Sequence, residues 1–462
     1  MTPIQHRGED KSNSVRATLT EREPVALRTF TPTQAVLAKS AGVFHWTAEG
    51  RKLFDFSSGV LVANLGHNPT RWFQRLTQYL QWPSQICSPP TAKVGEFVES
   101  VALTAYNAMT PIEADATERL VKNIQSWPGG KRLDTVMWAA SGSEAVQKAL
   151  WACLHRDEKR DMIIATRYGF HGKKGLANAV TGSEKDHERD PRVKFISFPM
   201  QEVDDVSKYG QVIDLSQYQQ ELDALWQIYG TRLNCLITEP YLGGGGSYHP
   251  PAAYLQLLQK FCREHDILFI LDEVQANFGR TGRMFAFEAY GLEPDFVALG
   301  KGLGNGIAVS ATVGRGDIMS SLKYGEASDT WSANPLSCAS VLATLDEFES
   351  TDVLEHTRRL TPLYFEGLNR LKETGLVVKV RGEGLVFGIQ CAPCGKATDK
   401  EVAAKIVEAC YLGRDNIGIH LLGALAGNVI RISPPMVITE QQSQESLNLM
   451  FEIVQNVAKS LA

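Results

Sequence analysis

No stretch of this 462-residue chain stays apolar for the roughly 18 residues that a membrane helix needs. Charge of one sign is lacking too: 47 Lys and Arg stand against 52 Asp and Glu, for a net charge of −5 and a pI near 6.1. Nothing marks the basic face by which proteins grip nucleic acid. Cysteine is sparse, at eight residues, too few for a disulfide framework in so long a chain. Only Cys391 and Cys394 lie close together, as CAPC, and no second pair completes a zinc site, so they read as reduced thiols without a role. The first residues, MTPIQHRGEDKSNSVRATL, have no apolar core of a secretory signal and read as a polar arm. The expected compartment is the cytoplasm. Internal repeats of about 20 to 50 residues are absent, and no segment is low in complexity.

What remains is an ordinary globular balance, 44% hydrophobic and 21% charged. In the middle of the chain, TVMWA (135–139), MIIAT (162–166), CLIT (235–238), ILFIL (267–271) and DFVAL (295–299) read as strands buried on both faces. Helical patterns separate several of them. In EAVQKALWACLHR, Val146, Ala149, Leu150, Cys153 and Leu154 make one continuous stripe. Alternating strands and helices predict an α/β fold with a mainly parallel sheet flanked by helices. After about residue 345, LVVKV and LVFGIQC suggest a smaller sheet, and the chain ends in an amphipathic helix through Leu447, Met450, Phe451, Val454, Ala458 and Leu461. The expected organisation is an arm and part of a small domain in 1–68, a large domain in 69–345 and the rest of a small α+β domain in 346–462.

Open α/β sheets bind ligands beyond the carboxyl ends of their strands. Those positions carry SGS, RYGFHG, EPYLGGGG, DEVQ and GKG, a crowded set of polar residues and glycines. A nucleotide-hydrolysing reading of ILFILDEVQ needs a phosphate loop GxxxxGK[ST], and every Gly-Lys pair here fails it. GKGLGNG also fails the dinucleotide pattern, because position 305 is Asn. Pyridoxal 5′-phosphate (PLP) fits better. It needs a lysine for a Schiff base, with small neighbours so that the cofactor can approach the backbone. It also needs a carboxylate beside its pyridine nitrogen, a helix N-terminus for its phosphate and an apolar or aromatic sandwich for its ring. Lys301, Asp272, Gly142-Ser143 and Phe170 offer these four, with Asp272 29 residues before Lys301, room for one crossover.

The stretch LDEVQANFGRTGRMFAFEAYGLEPDFVALGKGLGNG (271–306) resembles the signature of the class III (omega) aminotransferases. DFSSGVLVANLGH (55–67), SGSEAVQKAL (141–150), FHG (170–172), EP (239–240), DTWSANPLSCAS (329–340) and RISPP (431–435) follow in that family's order. The resemblance implies PLP fold type I and amino transfer in two half-reactions between an amine or omega-amino acid and a 2-keto acid. Lys301 would carry the cofactor and shuttle the proton, with Asp272 on the pyridine nitrogen. Ser141, Gly142 and Ser143 would cradle the phosphate, Phe170 and Val274 would cover the ring faces, and Gln275 would reach the 3-oxygen. His171 and Glu239 fall within cofactor-binding motifs. Arg431 matches the arginine that holds a substrate carboxylate. Thr330 matches a threonine that reaches the neighbouring subunit's phosphate, which implies a homodimer with the site at the interface; no metal, nucleic acid or membrane is expected. Related aminomutases, decarboxylating transaminases and lyases share the lysine and aspartate, and a non-catalytic PLP-binding paralogue is a further alternative.

One position departs from the family pattern. Members that use glutamate often read EPxxGEGG, whose second glutamate masks the carboxylate-binding arginine. Here the run is EPYLGGGG and the masking position is Gly244. Pyruvate therefore stands beside 2-oxoglutarate as an expected acceptor.

Overall fold

The computed structural model describes residues 3–27, residue 29, and residues 31–87, 91–186, 189–200, 212–424 and 426–461. Three short strands come first: β1 (Lys39–Ala41), β2 (Phe44–Trp46) and β3 (Lys52–Asp55). The next seven are β4 (Thr135–Ala139), β5 (Met162–Thr166), β6 (Val193–Ile196), β7 (Leu233–Thr238), β8 (Leu268–Asp272), β9 (Phe296–Leu299) and β10 (Ser310–Gly314). They build one sheet in the order β4-β10-β9-β8-β7-β5-β6. Pairing is parallel from β9 through β6, while β10 runs antiparallel to both β4 and β9. The last four are β11 (Val377–Glu383), β12 (Val386–Cys391), β13 (Ile417–His420) and β14 (Val429–Ile432). Of these, β11, β12 and β14 form a three-stranded sheet, and β13 pairs parallel with β3 to complete a four-stranded one.

Alternation along each strand explains why the large sheet is buried on both faces. Ile163, Ala165, Cys235, Ile237, Leu268, Ile270, Phe296 and Ala298 share one core with Ala145, Val146, Ala149 and Cys153 of the helix Gly142–Arg156. Their strand neighbours Met162, Ile164, Leu236, Phe269, Leu271, Val297 and Leu299 belong to a second, larger core on the other face. This is the mixed α/β fold with a parallel-rich sheet that the strand–helix rhythm predicts. Two of the strands are not among the expected ones: β6, VKFI, is only four residues long, and β10, SATVG, is made mostly of small residues.

Register then sets the site. Thr238 pairs with Leu271 and Asp272 with Ala298, so the carboxyl ends of β7, β8 and β9 finish side by side. Glu239, Asp272 and Lys301 are delivered to that edge by three neighbouring strands. Arg431 comes from β14, where it lies opposite Gly388 of β12. Among the described residues no helix is long and apolar enough to cross a membrane. The described cysteines are all free, and Cys391 of the CAPC pair is buried.

Candidate active site

Lys301 opens a single 3-10 turn immediately after β9 and adopts φ +47°, a left-handed conformation costly for a side chain with a Cβ. Its side chain keeps narrow access to solvent while protein surrounds the amine. Burial lowers its pKa from the ordinary lysine value; Asp272 pulls it back up, and Arg431 adds to the lowering. Among the described residues the amine has no hydrogen-bond or ion-pair partner. A desolvated, unpaired lysine has a larger neutral fraction, the form that acts as nucleophile or base.

The flanking glycines have a further reason in the fold. A Cβ at Gly300 would meet Ser310 Oγ at 2.6 Å and Val274 Cγ1 at 3.3 Å, and one at Gly302 would clash with the Asn64 amide. Protein neighbours fill that space, so the glycines seat the lysine against β10 and the 64–66 segment.

Asp272 is 4% exposed. Its Oδ2 accepts from His171 Nδ1 at 2.7 Å and its Oδ1 from the Val274 amide at 3.0 Å. His171 is held through its own amide by Thr181 Oγ1, at 2.8 Å, and its Nε2 is buried without a partner. Sequence placed His171 among the cofactor contacts; in the fold it grips the carboxylate.

Glu239 accepts from the Phe170 amide at 3.1 Å and the Gly243 amide at 3.3 Å. Burial, countered by His171 and reinforced by Asp272, pushes its pKa up to about 7. Gly243 also receives Arg431 Nη2 on its carbonyl, at 2.9 Å, and the Gln275 amide packs where its Cβ would be. One glycine thus joins Glu239, Arg431 and Gln275. The sequence gives no sign of this role, because it depends on a contact 188 residues away. Arg431 is 5% exposed, Nε has no partner, and burial lowers its pKa. Gln275 Oε1 and the Tyr241 hydroxyl are likewise buried and unpartnered.

The helix Gly142–Arg156 begins beside this group. Ser141 caps it, accepting from the Glu144 amide, while the Glu144 carboxylate takes the Ala140 and Ser141 amides. Ser141 therefore has no amide to spare. The Gly142 and Ser143 amides have no partner among the described residues, as expected of a helix first turn. A Cβ at Gly142 would meet Val274 at 2.9 Å. Phe170 is 43% exposed, with its Cβ against Gly244.

Thr330 stands apart from this cluster. It is exposed and lines a separate cavity of about 300 Å³ with Tyr106, Asn107, Glu113 and Lys148. Neighbouring Asp329 is tied to Lys148 Nζ at 2.8 Å.

The donor set fits PLP. An unpaired amine, a carboxylate fixed by two donors, two free amides at a helix start and a half-exposed aromatic ring meet at one sheet edge. Buried orphan atoms on Gln275 and Arg431 add polar capacity that the protein itself leaves unused.

Comparison with known proteins agrees. The family described as aminotransferase class-III matches residues 26–454. An acetylornithine aminotransferase from Caldanaerobacter subterraneus subsp. tengcongensis is 29% identical over 449 residues, covering 95% of this chain and 99% of the relative. Another, from Agrobacterium fabrum, is 30% identical over 420 residues, covering 88% and 90%. A thermostable (S)-enantioselective omega-transaminase from Thermomicrobium roseum has the same fold, with a TM-score of 0.75 at 22% identity over 100% of this chain and 96% of that one. This chain belongs to the class III aminotransferases, a family of PLP-dependent transferases.

Proposed function

We propose that the protein moves an amino group from an amine or omega-amino acid to a 2-keto acid, pyruvate or 2-oxoglutarate, working as a homodimer. The observation that carries the reading is Lys301: a desolvated amine without a partner, one strand away from a carboxylate that His171 and the Val274 amide hold in place. PLP, when bound, supplies an electron sink that lets the amino-bearing carbon give up a proton.

Everything else falls to the chain's own groups. Lys301 Nζ would hold the cofactor and, once displaced, take and return that proton, a role its lowered pKa suits. Asp272 would keep the pyridine nitrogen protonated, with its orientation fixed from both oxygens. The Gly142 and Ser143 amides would receive the phosphate at the positive end of the helix, while Ser141 stabilises the helix start. Phe170 and Val274 would bracket the ring and the Gln275 amide would meet the 3-oxygen. The Arg431 fork would take the substrate carboxylate, and Glu239 would set its position through Gly243.

Exposed apolar side chains support the homodimer. Val94, Phe97, Met109 and Tyr324 are almost wholly exposed, and Trp331 is 65% exposed beside Thr330. Large apolar and aromatic side chains of this kind are what subunit interfaces cover. Thr330 would then serve the partner subunit's phosphate. A reducing compartment, the cytoplasm, suits the free thiols.

The test pairs single donors (N-acetylornithine, ornithine, L-alanine, L-glutamate, a short omega-amine) with single keto acids in the presence of PLP, and measures the amino acid formed. Transfer with one or more pairs supports the reading. Racemisation, decarboxylation or no reaction across all pairs contradicts it.

A further inference from the structure

Three imidazoles converge on one buried carboxylate in the four-stranded sheet, none of them given a role in the site above. Asp55 ends β3 and is 0% exposed; His45 lies on β2, His420 ends β13, and His67 is held to the β1–β2 turn by two backbone hydrogen bonds with Gly42. His67 Nε2 stands 2.7 Å and His45 Nε2 3.4 Å from the same oxygen, Asp55 Oδ2. The three donor atoms all lie within 4.8 Å of one another. His45 and His420 rings are 5.5 Å apart, edge to face.

We propose that His45, Asp55 and His67 bind one divalent first-row cation, Zn2+ being the best match, with His420 as the third imidazole beside them.

Hydrogen bonds behind the donors leave the right atoms pointing inward. Asp55 Oδ1 is saturated by the Ser57 amide (2.7 Å), the Ser57 hydroxyl (2.7 Å) and the Ser58 amide (3.1 Å), so Oδ2 is the oxygen left for an ion. His45 Nδ1 is bonded to Ser40 Oγ at 2.7 Å, which fixes the ring with Nε2 facing Asp55. Two buried ring nitrogens make no hydrogen bond: His45 Nε2, whose Asp55 contact is a long 3.4 Å, and His420 Nδ1. A cluster serving only to hold Asp55 has no need of a second and third imidazole, and burying a ring nitrogen without a hydrogen bond is unfavourable. A cation satisfies His45 Nε2 directly.

The spacing allows it. Zn–N and Zn–O bonds of about 2.0–2.2 Å in a tetrahedron put donors roughly 3.4 Å apart. His45 and Asp55 already stand at that distance, and His67 needs to withdraw by under about 1 Å from its 2.7 Å contact. Nitrogen and carboxylate donors suit Zn2+ among common cellular cations. His67, 17% exposed on its side chain, is the entrance.

Such an ion would be structural. Ser58 and Asn64, which lie between Asp55 and His67, both accept from the buried Arg280, and Asn64 packs on Gly302 next to Lys301. Loading the site would pin this loop against the catalytic lysine.

The test titrates the holoenzyme with Co2+ and follows the ligand-field bands of tetrahedral cobalt, which lie well to the red of the cofactor. One equivalent is expected, with a raised thermal midpoint. His45→Gln and His67→Gln should abolish the bands while His155→Gln, a surface control, keeps them. Ser40→Ala spares every ligand and should weaken binding roughly 10- to 100-fold, so it decides the matter where a ligand variant fails to fold. No tetrahedral band with excess Co2+ overturns the proposal. So does a band that survives His45→Gln and His67→Gln, that disappears in His155→Gln, or whose affinity Ser40→Ala leaves unchanged.

Discussion

His171 donates from Nδ1 to Oδ2 of Asp272 across 2.7 Å, and both side chains are buried, at 3% and 4% exposure. The carboxylate proposed to meet the cofactor ring is thus oriented by a group 101 residues away. Hydrogen bonds to a charged group contribute about 1.5–3 kcal/mol. His171→Ala is expected to lower kcat/KM by roughly 10- to 100-fold while cofactor still binds. Asp272→Asn, which removes the charge itself, should cost more, roughly 10²- to 10⁴-fold. Steady-state kinetics on both variants check the order; equal losses contradict it.

Glu239 sets a pH dependence. Its pKa rises from 4.5 unfolded to about 7 folded, so it contributes stability that is complete below about 4.5 and lost as pH climbs through about 7. The full swing is at most about 3 kcal/mol. Glu273, pushed up to about 8 by burial, acts in the same direction. Glu239→Gln should therefore flatten the fall of the thermal midpoint between about pH 4.5 and 7. Parallel curves for wild type and variant contradict this.

In the proposed reading, Gly244 would leave Arg431 without an acid to mask it. Gly244→Glu should raise KM for the keto acid by roughly tenfold or more with a smaller change in kcat, since a charge-assisted contact is being competed away. Part of that effect comes from Phe170, whose Cβ lies 3.2 Å from where the new Cβ would stand. Gly244→Ala controls for the crowding: a KM as high as that of Gly244→Glu removes the electrostatic explanation.

Arg280 is wholly buried and, among the described residues, bonds no carboxylate. It donates to the Leu385 and Pro434 carbonyls, Ser58 Oγ and Asn64 Oδ1, joining both chain ends to the segment after β8. Burial pulls its pKa down to about 10. Arg280→Ala leaves those acceptors unpaired and is expected to cost at least about 3 kcal/mol, read as a lowered thermal midpoint with loss of cofactor. A variant as stable as wild type contradicts this.

Legibility in the sequence followed how local each signal was. LFILD and FVAL announce β8 and β9 because strands buried on both faces are apolar throughout, and the polar residues ending them mark the site. SATVG, as β10, has only small residues between two strands and offers no such signal. The first three strands are three or four residues long, too short for any period to show. Lys301, Asp272, Phe170 and Arg431 are legible through motifs. The Gly243 junction, the seat of Arg280 and the neighbours of Gly300 and Gly302 are not, since each depends on a partner brought from elsewhere by the fold.

The visible absorption of the holoenzyme, followed through each half-reaction, tests the central claim most directly. An amino donor added alone should bleach the long-wavelength band once per subunit, and a keto acid added next should restore it. Lys301→Ala should show no such cycle. A band that every donor leaves unchanged, or a full cycle in Lys301→Ala, contradicts the account.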